Sequence, residues 1–113
     1  MRELLKARLR AAGVAAEAEQ VEKLAAFHDL LTAANARMNL TRVSADPAEA
    51  IDRNYLDSLS PLAHLSGAKT CVDVGSGAGF PGVPLSIFLP DTHFVLMDSL
   101  LKRVEFLRGV IEE

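Results

Sequence analysis

The stretch that most restricts what this chain can fold into is Asp73-Val74-Gly75-Ser76-Gly77-Ala78-Gly79. It grows out of Thr70-Cys71-Val72-Asp73-Val74, a short β-branched run that reads as a strand. It leads into an apolar segment, about 82 to 89, that reads as a helix and stops at Pro90. Glycines between a strand and a helix let the chain turn tightly and let a ligand approach the backbone with no Cβ in the way. His93-Phe94-Val95-Leu96-Met97 is a second apolar run and fits a strand covered on both faces, as in a parallel sheet. Ser99 can cap a last helix whose apolar stripe is Leu100, Val104, Leu107 and Ile111. The order is β-α-β-α, and a right-handed crossover sets the two strands side by side.

Asp98 ends the second strand, 23 residues after Gly75. In nucleotide-binding α/β folds an acid at that place hydrogen-bonds ribose hydroxyls. Loop and acid then meet at the carboxyl ends of adjacent strands, where open parallel sheets bind ligands. The dinucleotide fingerprint is G-x-G-x-x-G, with a helix N-terminus facing a pyrophosphate. Here the loop is G-x-G-x-G, one residue shorter, followed by Phe80-Pro81-Gly82, and Asp73 stands two residues before its first glycine. An acid there suits a ligand with a cationic end. S-adenosylmethionine, with an ammonium and a sulfonium, therefore fits better than NAD. The plain alternative is glycines serving a tight turn alone, and the matching Asp98 weighs against it.

Residues 1–67 read as helical. Leu4, Leu5 and Leu9 mark a short first helix that Gly13 can stop. Leu24, Phe27, Leu31, Ala34 and Met38 recur at spacings of three and four, one face of a long helix over about 17–37. Glu17 and Glu19 suit its positive end. Asp46-Pro47-Ala48-Glu49 is a helix start with a cap, a first-turn proline and a capping-box acid. The third helix runs through Ile51, Tyr55, Leu56 and Leu59; Ser60-Pro61 reads as a second cap and Gly67 closes the region.

The chain has 113 residues, which suits one compact domain, and half of them are hydrophobic, as in ordinary globular proteins. Its net charge is −3, without the basic excess that a phosphate backbone held by charge alone calls for. Arg2, Lys6, Arg8 and Arg10 against Glu3 form a basic cluster, either a solvated amphipathic helix or an RNA-facing arm. The single cysteine, Cys71, excludes an internal disulfide, and no Cys/His pairs stand at zinc-finger spacing. Cys71 reads as inert core packing. Charges spread through the N-terminus argue against a signal peptide, and no apolar run reaches the ~20 residues of a membrane span. A cytoplasmic location is the expectation.

Several stretches carry a more specific likeness. Asp73 through Pro84, reading DVGSGAGFPGVP, resembles the signature of the bacterial small-subunit (16S) ribosomal RNA guanine-N7 methyltransferases, also called the glucose-inhibited division protein B family. Met38-Asn39-Leu40-Thr41 is similar to that family's N-terminal motif, and Tyr55-Leu56-Asp57-Ser58-Leu59 to the helix before its first strand. Leu96-Met97-Asp98-Ser99-Leu100, with Lys102-Arg103-Val104 and Phe106-Leu107, resembles its second strand and the helix that follows. The likeness runs from about residue 20 to 108, in order. One departure stands out: the family usually has His after a basic residue before the Asp-Ser pair, and here Arg53 is followed by Asn54.

The resemblance implies an α/β protein: an N-terminal helical cap (1–67) and, over 68–113, the first β-α-β-α unit of a class I, Rossmann-like methyltransferase domain. It implies S-adenosylmethionine as cofactor, 16S ribosomal RNA as partner, and transfer of a methyl group to guanine N7. By that likeness Gly75 and Phe80 contact the cofactor, Gly77 and Gly79 shape the loop, and Asp98 holds the ribose; Asp73 and Ser76 complete the expected cofactor-binding set. Asn39, Arg53 and Asp57 are open to functional or to structural roles. Guanine N7 carries a free lone pair, so no proton need be removed and no general base is expected. His28, His64 and His93 read as structural, and no metal site is expected. Doubly wound sheets have about six strands, and two are found here, so the sheet is expected to be truncated, with exposed edges and self-association. Two other readings stay open: a nucleotide (NAD)-binding oxidoreductase fragment and a non-catalytic interaction module.

Overall fold

The computed structural model describes residues 1–38, 40 and 46–112. Asn39 and Thr41, two of the four residues of the Met38–Thr41 motif, lie outside them. Helix α1 (Arg2–Ala11) buries Leu5 and Leu9. It ends where Gly13, at φ +77°, lets the Val14 N–H reach back to Leu9 O at 2.9 Å. Helix α2 (Ala18–Met38) buries Leu24, Phe27, Leu31 and Ala34 of the stripe read from the sequence, together with Val21 and Ala25, while Met38 at its end is half-buried. At its start the Gln20 side chain accepts from the Glu17 N–H at 2.8 Å, closing one of the free donors of the first turn.

The next helical stretch is broken into pieces. Asp46 caps α3 (Pro47–Ala50), its side chain accepting from the Ala48 N–H at 3.2 Å, as the sequence suggested. Instead of one regular helix, a π-helical stretch (Ile51–Leu56) follows, and then α4 (Asp57–Leu59). The wider turn leaves Ile51, Tyr55 and Leu59 all buried on one side. Ser60 does not cap α5 (Leu62–Leu65): its hydroxyl donates back to Asp57 O at 2.7 Å.

Strands β1 (Thr70–Val74) and β2 (His93–Met97) have the bounds the sequence suggested. They pair in parallel, with Val72 opposite Val95 and Val74 opposite Met97. Helix α6 (Gly82–Phe88) makes the crossover and packs on β2. Helix α7 (Leu101–Glu112) follows. Both α6 and α7 lie against α2, so one hydrophobic cluster contains Leu24, Phe27 and Tyr55 as well as Val83, Phe88 and Leu107.

Two expectations about the sheet and its last helix need correction. β2 is covered on one face, not two: Phe94 and Leu96 are half-buried, while Val95 and Met97 are exposed beside Val72 and Val74. An unbroken apolar run is compatible with either case, because it carries no alternation to say which face is wet. Of the stripe expected for α7, Leu107 is buried, but Leu100, which precedes the helix, and Ile111 are exposed, and Phe106 and Val110 pack on the core instead. Cys71 is a free thiol on the covered face and is only half-buried.

Candidate functional site

The glycine loop leaves β1 at its carboxyl end and is tied first to the neighbouring strand. The N–H groups of Gly75 and Ser76 both donate to Met97 O at 2.8 Å. The Ser76 hydroxyl donates to Asp73 O at 3.0 Å, and Ser76 O accepts from the Gly79 and Phe80 N–H groups at 2.9 and 3.1 Å. Ser76 is thus a buried knot of the turn. Gly75 and Gly77 have φ of +76° and +59°, and a Cβ built on either would meet nothing within 4 Å. Both need glycine for conformation, and both face open space.

The two acids of the sequence reading stand at either side of this loop. Asp73 Oδ2 accepts from the Gly82 N–H at 3.0 Å, which puts a carboxylate on the first turn of α6. The other donors of that turn are also engaged: the Val83 N–H reaches Gly79 O at 2.7 Å, the Leu85 N–H reaches Pro81 O at 3.1 Å, and Pro84 has none. Gly82 permits this closeness, since a Cβ there would lie 2.8 Å from Asp73 Oδ2 and 2.3 Å from Leu96 Cδ2. Asp98 reaches across the loop, its side chain only 5% exposed. Its Oδ2 accepts from the Gly77 N–H at 2.8 Å and its Oδ1 from the Leu100 N–H at 2.9 Å. It therefore makes the turn into α7 that the sequence reading gave to Ser99. These two N–H bonds, Leu100 first, hold the Asp98 carboxyl below the usual carboxylate range, and Arg103, 3.6 Å away, adds to the effect.

Phe80 is turned toward the helical region. Its ring lies 5.6 Å from those of Phe27 and Tyr55, so loop, α2 and the π-helical stretch share one aromatic cluster. The Tyr55 hydroxyl is hydrogen-bonded to His28 Nδ1. Burial pushes the Tyr55 phenol up and His28 down. The sequence reading placed His28 only on an amphipathic helix, and its partner, 27 residues away, was invisible there. His64 and His93 are exposed.

Of the remaining candidates, Arg53 has a side-chain partner elsewhere, and Asn54 and Asp57 are bonded through their main-chain carbonyls. Asn54 is half-buried, and its carbonyl accepts from the Ser58 hydroxyl at 2.5 Å. Arg53 is exposed and paired with Glu49 at 3.1 Å. The Asp57 carbonyl accepts from Ser60. In the basic N-terminal cluster, Arg2 pairs with Glu22 at 2.6 Å, Lys6 with Glu3 at 3.4 Å and Arg8 with Asp52 at 3.1 Å. These three pairs fit the solvated-helix reading of the cluster, and Arg10 is exposed. A groove of about 570 Å³ between α2, α6, β2 and α7, lined by Phe27, Leu30, Ile87 and Phe94, contains none of the expected site residues. Among the described residues no His, Cys, Asp and Glu groups are placed to hold a metal, and no helix is long and apolar enough to cross a membrane.

The loop, its two acids and its aromatic prop are thus one unit, and it lies within the stretch of the chain that matches known proteins. The family model for rRNA small subunit methyltransferase G (GidB) matches residues 20–113. The ribosomal RNA small subunit methyltransferase G of Yersinia enterocolitica is 47% identical over 105 residues, covering 93% of this chain and 50% of that protein. The protein of the same name from Serratia proteamaculans is 44% identical over 113 residues, covering 100% of this chain and 54% of its own length. That of Desulfitobacterium hafniense is 44% identical over 95 residues, 84% of this chain and 39% of that protein. The chain spans about half the length of the curated relatives it matches. By the family match and these identities, the chain belongs to the rRNA small subunit methyltransferase G family.

Proposed function

We propose that this chain carries the methyl-donor-binding part of an S-adenosylmethionine-dependent methyltransferase that acts on guanine N7 of 16S ribosomal RNA. Its β1-α6-β2-α7 segment is then the first unit of a class I methyltransferase sheet. Family membership supports rRNA methylation. One observation supports the donor over a dinucleotide: the α6 start presents a carboxylate instead of free N–H groups. A pyrophosphate needs open donors at a helix N-terminus. Here Gly82, Val83 and Leu85 have spent theirs, and Asp73 adds a negative charge. That environment repels a pyrophosphate and attracts a cation.

In this reading the residues fit the donor as follows. Asp73 supplies negative potential toward its cationic end. Gly75 and Gly77 leave space for it against the backbone, and Ser76 and Gly79 hold the turn. Phe80 contacts the donor, as the resemblance implies, with its ring braced by Phe27 and Tyr55. Asp98 has acceptor capacity left, since a carboxylate offers about four lone-pair sites and three groups approach it here; a ribose hydroxyl can add to Oδ1. When bound, the donor supplies an electrophilic methyl group on a sulfonium. The N7 lone pair lies in the guanine ring plane and carries no proton, so the protein has to hold two reactants in line.

Calorimetry with S-adenosylmethionine and, separately, NAD tests this reading. Binding of the former is expected, and its loss in Gly75→Asp, where a side chain would fill the open space above the loop. Tighter binding of NAD would overturn it in favour of the oxidoreductase alternative.

A further inference from the structure

Two neighbouring cations at the start of α7 reach back to the end of α2. Lys102 Nζ donates to Met38 O at 3.2 Å, and Arg103 Nη2 donates to Leu40 O at 3.3 Å. Met38 is the last residue of α2 and Leu40 stands two residues beyond it. The last carbonyls of a helix lack intrahelical partners and carry its negative dipole end, so the Lys102 cation suits Met38 O. The two side chains then part company. Lys102 is exposed and reaches only Met38 O among its described side-chain hydrogen bonds. Arg103 is half-buried, and its Nη1 lies 3.6 Å from Asp98 Oδ2, the oxygen that also accepts from the Gly77 N–H. Its Nε is buried and has no hydrogen-bond partner among the described residues. The guanidinium is thus held by two anchors in different regions.

We propose that Arg103 is a positioning residue. It ties the Asp98 carboxylate, and through it the Gly77 turn of the loop, to the chain at the end of α2. Affinity for an adenosyl ligand then depends on contact between the helical region and the α/β unit, 63 residues apart in sequence at Arg103 and Leu40. A planar guanidinium can serve two acceptors at once in a fixed geometry, and an ammonium cannot do so in the same way. The inference deepens the donor-binding reading and rests on it.

Arg103→Met and Lys102→Met, each in the full chain, separate positioning from general loosening, because each removes a bond to the chain at or just past the end of α2 and only the first touches Asp98. Two readouts are needed: the Gly77 amide resonance of the ligand-free protein, and calorimetric affinity for S-adenosylhomocysteine. Arg103→Met is expected to shift the Gly77 amide and to weaken binding about tenfold, the scale of ordinary coupling between linked sites. Lys102→Met is expected to leave both close to the parent values. Arg103→Lys, able to reach one anchor at a time, is expected to fall between, and it carries the comparison should Arg103→Met not fold. Equal losses of affinity in the Arg103 and Lys102 variants would overturn the proposal, as would an unmoved Gly77 amide. Failure of the parent chain to bind S-adenosylhomocysteine would sink the donor reading. The Gly77 amide would then still decide the role of Arg103: a shift supports it and no shift overturns it.

Discussion

In the helical region Leu5, Leu24, Leu31, Ile51 and Tyr55 are closed off from solvent, whereas no residue of β1 or β2 is fully buried and Val74 is 78% exposed. The side chains are equally apolar in both places. The difference lies in what stands opposite them. The helices find each other and the near sides of α6 and α7, while one face of the two-stranded sheet has α6 against it and the other is exposed among the described residues. The sheet keeps its place because the loop, α6 and α7 join the core of the helices through Phe80 and Ala78, Val83, and Leu107 respectively. The candidate site sits on that seam, so its geometry depends on packing from both sides.

The largest test of this contrast is Leu31→Ala, a truncation in the closed core. A loss of about 3 kcal/mol is expected in urea unfolding, the usual range for a buried leucine. Should the loss be no greater than that of a substitution on the bare sheet face, the contrast fails. Gly82→Ala comes next. It drives a methyl group into Leu96 and Asp73, and about 2 kcal/mol is expected from overpacking. Gly75→Ala meets no neighbour and bears only the strain of a left-handed backbone, about 1 kcal/mol. Reversal of that order, read from denaturation midpoints, would show that the loop is packed differently.

A pH series sharpens the comparison further. Burial holds His28 below its ordinary value of about 6.5. The unfolded chain therefore takes up the proton first, and stability is complete above that ordinary value and falls as pH drops through the lower folded one. The Asp98 carboxyl is also held low, so its contribution persists to more acid pH and is lost as pH falls through its own folded value. The thermal midpoint should decline in two stages. His28→Gln should remove the upper stage, and Asp98→Asn should flatten the lower. The smallest effect on stability is expected from Val74→Thr, within about 0.5 kcal/mol. Its effect on association is another matter: the chain is expected to pair with its own copies through the exposed Val72, Val74, Val95 and Met97, and Val74→Lys should shift sedimentation toward the monomer.

The local order of the chain was written plainly in its sequence. Period-three-and-four spacing fixed α2, β-branched and apolar runs bounded by Gly and Pro fixed β1 and β2, and Asp46-Pro47 fixed the start of α3. These signals depend on neighbours a few residues apart, which is why they survive without a third dimension. The glycine loop and its motifs announced the family in the same way. What depends on distant partners did not show. An apolar run does not say which of its faces is covered, and an aromatic residue beside a glycine loop does not say that it turns inward to Phe27 and Tyr55. Competition among caps is also hidden, since Ser60 and Asp98 each chose a bond that another reading gave elsewhere. The sequence by itself determined a strand–loop–helix unit with acids at both strand ends. Only tertiary packing decided that one acid caps α6, that the other braces Gly77, and that Arg103 links it to the end of α2. The reason is physical: a carboxylate goes to the donors that packing brings within reach, and those donors come from three separate segments of the chain.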